Sequence, residues 1–260
     1  MKITTWNINS VRLRLPLVLD KLAELDTDVL CLQETKTQDE HFPHAAIAEA
    51  GWPHIAIRGE KSYNGVAILS RLPLEDISHM NWTGRTDTRH ISASVGGLTI
   101  HNFYIPAGGD EPDRDKNPKF GHKLDFLAEM TDYFTGQQPR NAVLVGDLNI
   151  APLAADVWST RQLKNVVSHT DIERKALLAL IEEGGWTDAV RANFGPDEVL
   201  YSWWSYRARD WAASDRGRRL DHIWVSADIA DKVKTVTIDR AARGADKPSD
   251  HVPVSATFLR

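Results

Sequence analysis

The chain has 260 residues, 42% of them hydrophobic, enough to bury a sizeable core within one domain spanning residues 1–260. Its 31 basic and 36 acidic residues leave a formal charge of -5, which excludes a surface that is polycationic throughout but leaves room for a local basic face. The single cysteine, Cys31, excludes a disulfide framework, and no stretch approaches the ~20 apolar residues of a membrane span.

The opening "MKITTWNINS" lacks the apolar stretch of a secretory signal, so a cytoplasmic protein with no membrane contact is expected, with a monomer as the default. Short Val-, Ile- and Leu-rich runs then alternate with amphipathic stretches, the pattern of a mixed α/β domain. Residues 2–6 predict a strand that ends on Asn7, and residues 13–24 a helix. The run at 29–33 predicts a strand, with Cys31 as a small core hydrophobe, and delivers Glu34 at its end. Strands over 66–70 and 99–105 follow, and then "PAGGDEPDRDKNPK", residues 106–119, whose Pro, Gly and charge content reads as a functional surface loop. A helix over 120–135 leads to a strand over 142–145, with Asp147 and Asn149 just beyond it, and to a helix over 171–183. The segment "YRARDWAASDRGRR", residues 206–219, is a second candidate loop for substrate contact. Asp221 stands at the start of a strand over 220–226, and Asp250 and His251 immediately precede a last strand over 253–259.

One acid or amide at a strand end usually makes a turn, and a bare Asp-His pair usually marks a solvated one. Here the pattern recurs. Strands running suitably in one sheet would gather three acids, an amide pair and a histidine on one rim, where their repulsion calls for a cation. Oxygen-rich ligation without a cysteine cluster suits Mg²⁺ or Mn²⁺ and disfavours structural zinc. In this reading Asp250 is a hard oxygen ligand or an electrostatic partner of the metal. His251 addresses a reacting phosphate, with Asp221 fixing its tautomer.

Eight motifs, in order, carry a resemblance: "TTWNINSVR", "LQETK", "NGVAILS", "NFYIPAGG", "VGDLNIAP", "YSWW", "RRLDHIWVS" and "KPSDHVPV". Together they resemble the exonuclease III family of DNA-repair nucleases, in the endonuclease/exonuclease/phosphatase superfamily. The resemblance implies a DNase I-like, four-layer α/β/β/α sandwich in which two mixed sheets pack face to face between helices. It makes Glu34 the principal metal ligand, with Asp250, Asn7 and Asn9 nearby and Asp147, Asn149 and His251 within reach of one or two ions. Asp147 would activate or orient the attacking water, Asn149 would donate to phosphoryl oxygens, Tyr104 would lie near the scissile phosphate, and Asp221 with His251 would stabilise charge or move a proton. Which of Asp147 and His251 is the base stays open.

For substrate contact, "LYSWWSYRARDW" combines aromatics that stack or wedge with arginines that pair with phosphate. The resemblance makes Trp203 or Trp204 the wall of a pocket for a base-free deoxyribose, although strand alternation predicts that at least one of them is core. Lys119, Arg207, Arg216 and Arg218 are candidate phosphate contacts. So are Arg12, Arg14, Lys116, Arg209, Arg219, Arg243 and Lys247. Two departures from the family are Ala107, where an amide usually stands, and Ser205, where many relatives carry Asp. The implied activity is cleavage 5′ to abasic sites and removal of nucleotides or blocking groups from 3′ ends of duplex DNA. Two competing expectations are a superfamily phosphodiesterase acting on RNA, a phosphoinositide or a sphingolipid, and a non-catalytic DNA-binding protein on the same fold.

Overall fold

In β2 (Val29–Gln33) every residue is buried, because both faces of the strand are covered. Val29 and Cys31 point into one apolar cluster and Leu30 and Leu32 into another. The same division recurs in β8 (Ala142–Asp147), where Val143 and Val145 face the cluster shared with Val29 while Ala142 and Leu144 face a third. These continuous apolar runs were readable as strands because they are buried on two sides.

The structure, a computed structural model, describes residues 1–259. Its remaining strands are β1 (Lys2–Asn7), β3 (His54–Arg58), β4 (Val66–Ser70), β5 (Glu75–Ser78), β6 (His90–Val95), β7 (Leu98–Tyr104), β9 (Trp186–Asp188), β10 (Trp203–Trp204), β11 (Gly217–Arg218), β12 (Asp221–Ser226), β13 (Val233–Ile238) and β14 (Val254–Phe258). The helices are α1 (Leu15–Leu25), α2 (His44–Glu49), α3 (Pro118–Gln137), α4 (Thr160–Leu163), α5 (Asp171–Glu183), α6 (Ala189–Phe194) and α7 (Trp211–Ser214).

Two mixed six-stranded sheets form, ordered β13-β14-β1-β2-β4-β3 and β5-β6-β7-β8-β12-β9, with β10 and β11 as a separate ribbon. Ile3, Val29, Cys31 and Val254 of the first meet Ile100, Val143, Val145 and Ile223 of the second in one inner core. The outer face of the first sheet packs on Val18 and Leu22 of α1 and Ile47 of α2. That of the second packs on Phe126, Met130 and Phe134 of α3 and Leu177 and Leu180 of α5. The result is the expected four-layer α/β/β/α sandwich. Amides tie the sheets together inside: Gln33 Nε2 donates to Asn102 Oδ1 at 2.7 Å, and Asn102 Nδ2 donates to the Leu32 and Ala67 carbonyls.

The predicted helix over 13–24 begins two residues later, at Leu15, since Pro16 fits the first helical turn and residues 11–14 form a separate turn. The strand over 142–145 runs on to Asp147. Strands β3, β5, β6, β9, β11 and β13 were not foreseen. Several of them, such as the fully exposed β5, are short or polar edges without an apolar run. No helix among the described residues is long and apolar enough to cross a membrane.

Candidate active site

Strand direction explains why residues so distant in sequence meet. β1 and β2 are parallel with Asn7 opposite Gln33, so both strands deliver Asn7 and Glu34 at the same end. β7 and β8 are also parallel, with Tyr104 opposite Asp147. The antiparallel β12 brings its first residue, Asp221, opposite Asp147. Since β14 is antiparallel to β1, the Asp250-His251 segment ahead of it arrives at that rim too. Register aligns these side chains within each sheet, and the rim draws on both sheets rather than on the single sheet expected, so the face-to-face packing of the two completes it.

The hydrogen bonds are specific. Asn7 Nδ2 donates to Glu34 Oε1 at 2.9 Å and to Asp147 Oδ2 at 2.8 Å, and the Tyr104 hydroxyl donates to Glu34 Oε1 at 2.8 Å. The Asn149 backbone N–H donates to Asp147 Oδ1 at 3.0 Å. Its side-chain amide reaches the Ile105 carbonyl at 2.9 Å and Asp147 Oδ2 at 3.3 Å. His251 Nδ1 pairs with Asp221 Oδ2 at 2.8 Å, which turns Nε2 toward Asp147 Oδ2 at 3.6 Å. Ser202 Oγ also donates to Asp221 Oδ2, at 2.6 Å, while Asp221 Oδ1 is buried without a partner.

Beside this group, Asn9 Nδ2 donates to Asp250 Oδ1 at 3.1 Å and the Trp203 indole N–H to Asp250 Oδ2 at 3.0 Å. Lys36 Nζ lies 2.7 Å from Glu34 Oε2 and 2.6 Å from Asn9 Oδ1. An ammonium seated between these oxygens stands in for a cation. The oxygens it touches are the hard donors a Mg²⁺- or Mn²⁺-type ion takes, so the residues fit such a group. One ligand atom from each of Asp147, Asp221 and His251 also lies within 4.8 Å of the others.

Burial and neighbouring charges together set the protonation. Desolvation raises Asp147 to about 7, with His251 and Asn7 offsetting part of the rise and the Asp221 charge adding to it. For His251, burial opposes the charged form, but Asp221, Asp147 and Asp250 outweigh it and raise the imidazole to about 10. An imidazolium has no lone pair for a metal, so His251 would ligate one only after losing this proton. Burial would also raise Glu34, yet Lys36 and the donors from Asn7 and Tyr104 hold it below the usual carboxylate range.

Glu34, Tyr104, Asn149, Asp250 and His251 floor a cleft of about 710 Å³ whose walls include Trp158, Val167, Ser168, Trp203, Arg207, Arg216 and Arg218. Trp203 is half-buried there, with Arg218 over its ring at 5.1 Å. Trp204 departs from its expected role: it is 1% exposed, its indole N–H donates to Asp215, and Arg240 covers its ring at 4.9 Å, so no face is free for a sugar. Three basic candidates are likewise internal. Arg14 holds the Lys247 carbonyl, Arg219 is matched to Asp156 and Asp188, and Arg243 reaches the Trp204 carbonyl. Lys119 is exposed on the first turn of α3 and is not part of the cleft lining, and Arg218 spends donors on the Val167 carbonyl and Ser168 Oγ.

Sequence reasoning missed Lys36, Trp158, the 166–168 wall and Ser202. Lys36 stood within the quoted "LQETK", two residues from Glu34, and could have been found there. Trp158, over which Arg216 stacks at 4.6 Å, left no periodic signal.

Residues 4–251 match the model of the Endonuclease/Exonuclease/phosphatase family. Among curated relatives, the exodeoxyribonuclease III of Haemophilus influenzae is 31% identical over 99% of this chain and 100% of its own length. Among solved structures, the 3′-5′ exonuclease NExo from Neisseria meningitidis superposes with a TM-score of 0.92 at 37% identity, with both chains fully covered. An AP endonuclease from Archaeoglobus fulgidus superposes with a TM-score of 0.93 at 34% identity, again over the whole of both chains.

Proposed function

The chain belongs to the endonuclease/exonuclease/phosphatase family and within it to the exonuclease III group, and from that premise we propose a metal-dependent DNA-repair phosphodiesterase acting as a cytoplasmic monomer. It cleaves duplex DNA 5′ to abasic sites and removes nucleotides or blocking groups from 3′ ends. The observation that carries this reading is the rim itself, where Glu34, Asp250 and His251 line one cleft and the buried Asp147 and Asp221 flank the imidazole of His251.

Phosphodiester hydrolysis demands roughly 20 kcal/mol of barrier lowering, more than any one group supplies. Asp147, raised to about 7, is poised to take the proton of an attacking water near neutral pH, and the N–H donors of Asn7 and Asn149 hold its carboxylate in one orientation. His251, fixed by Asp221, presents a positive edge to a phosphoryl oxygen. The longer of the two Asn149 amide contacts, 3.3 Å to Asp147, is the one that turns to a second phosphoryl oxygen. Tyr104 aligns Glu34 and lines the cleft beside the scissile position. Glu34, Asp250 and Asn9 would hold a Mg²⁺ or Mn²⁺ ion, which when bound polarises the phosphate and neutralises developing charge. Trp203 supplies an apolar wall for a deoxyribose, and Arg207 and Arg216 meet the phosphates of the backbone.

A duplex carrying one abasic analogue, compared with an intact duplex, tests the proposal. Both should be cut with added Mg²⁺ or Mn²⁺ and neither with EDTA in excess. Cleavage that persists in EDTA, or none with either metal, contradicts it.

A further inference from the structure

One buried ion pair touches three segments that line the cleft. Lys123 of α3 and Glu173 of α5 are both 0% exposed, with Nζ 2.5 Å from Oε1. The other two Nζ donors go to the backbone carbonyls of Asn149, at 2.8 Å, and Ala107, at 3.3 Å. Glu173 accepts from the Ser168 N–H at 2.9 Å and from Thr170, whose Oγ lies 2.6 Å from Oε2. Ala107, Asn149 and Ser168 all line the cleft. The loop after β7 is seated directly on the lysine stem, since a Cβ added to Gly108, at φ +90, would meet Lys123 Cδ at 2.9 Å.

Stability does not explain the arrangement. Removing two charges from water offsets most of their attraction, and an apolar pair of similar volume commonly fills such a site equally well. An apolar pair has no donors for the two carbonyls and no acceptor for the Ser168 and Thr170 groups. What this pair adds is register among three cleft segments, two that follow the neighbouring strands β7 and β8 and one that leads into α5.

We propose that Lys123 and Glu173 are positioning residues for hydrolysis. Lys123 fixes the backbone of Asn149 and so the aim of its amide at the phosphoryl group, while Glu173 fixes the Ser168 wall in the same register. This inference rests on the role given to Asn149 under the proposed function, and the test separates the two. Lys123 lies beneath the cleft surface, so its loss should lower kcat and leave KM for a duplex substrate within about 2-fold.

The experiment is a double-mutant cycle of Lys123→Met and Asn149→Ala, read as kcat and KM on a duplex oligonucleotide with saturating Mg²⁺. Lys123→Met alone should lower kcat on the order of 10- to 100-fold, the scale of a misplaced reacting group. On the Asn149→Ala background the same substitution should cost less than about 3-fold, because residues acting as a unit are non-additive. Equal factors in both backgrounds, or an unchanged kcat in Lys123→Met, overturn the inference alone. An unchanged kcat in Asn149→Ala overturns both the role of Asn149 and the inference built on it. If Lys123→Met does not fold, the pair Lys123→Met with Glu173→Gln, which leaves no unpaired buried charge, carries the cycle with the same outcomes.

Discussion

Two clusters of buried charge lie in the same sandwich, and they are balanced in opposite ways. Behind the cleft, Asp156 and Asp188 are met by guanidiniums: Arg219 contacts Asp156 at 2.5 Å and Asp188 at 2.9 Å, and Arg191 also pairs with Asp156. There, burial would raise Asp156, but Arg219 and Arg191 overcome it and hold the carboxyl at about 2. On the rim, Asp147 and Asp221 share one imidazole, Asp147 is pushed up to about 7, and an oxygen of Asp221 has no partner. A matched cluster is complete and serves the fold. An under-matched one is the pattern expected of a working site, as in the proposed reading of the rim.

The largest expected effects break this comparison in both directions. Asp147→Asn should lower kcat on the order of 10³-fold, within the range for a lost general base, with a melting temperature no lower than the parent's because a raised carboxyl destabilises when ionised. Arg219→Met should do the reverse, costing about 3–5 kcal/mol by leaving Asp188 without its guanidinium and Asp156 with Arg191 alone, while kcat per folded molecule stays within a few-fold. Cleavage rates paired with urea unfolding measure both. Similar losses of activity and stability in the two variants would erase the distinction.

The adjacent tryptophans sharpen it at the cleft wall. Trp204→Ala should cost about 3–5 kcal/mol of stability as a large core deletion. Trp203→Ala, in the half-buried wall, should instead raise KM for abasic duplex with a smaller stability loss, as read by melting and steady-state kinetics.

The smallest effect concerns acid. Asp156 is held down to about 2 in the folded protein against an ordinary 3.8, so its contribution is complete above the unfolded value and lost as pH falls toward the folded one. A loss of about 2 kcal/mol between pH ~4 and ~2 is expected, and Asp156→Asn should flatten that part of the stability curve. An unchanged slope would show that the guanidiniums do not hold this carboxyl down.

Much of the rim was legible because each of its groups ends or begins an apolar run: Asn7 closing β1, Glu34 after β2, Asp147 closing β8, Asp221 opening β12. Burial on both faces makes such runs easy to read, and parallel pairing then determines where their ends lie. Lateral contacts were not legible. Nothing in the spacing of Lys123 and Glu173 shows that they meet, and runs of arginine look alike whether, like Arg216, they face solvent or, like Arg219, they are sealed against two aspartates. Strand periodicity predicted one core tryptophan in "YSWW" without telling which, because β10 is only two residues long.

The central claim is that the rim is an anionic site built for a divalent cation. A Mn²⁺ titration followed by electron paramagnetic resonance, on the parent and on Glu34→Gln, tests it most directly. Binding by the parent that weakens at least ~10-fold in Glu34→Gln, with the fold intact by circular dichroism, is the predicted result. Equal Mn²⁺ affinity in the two proteins would contradict the account.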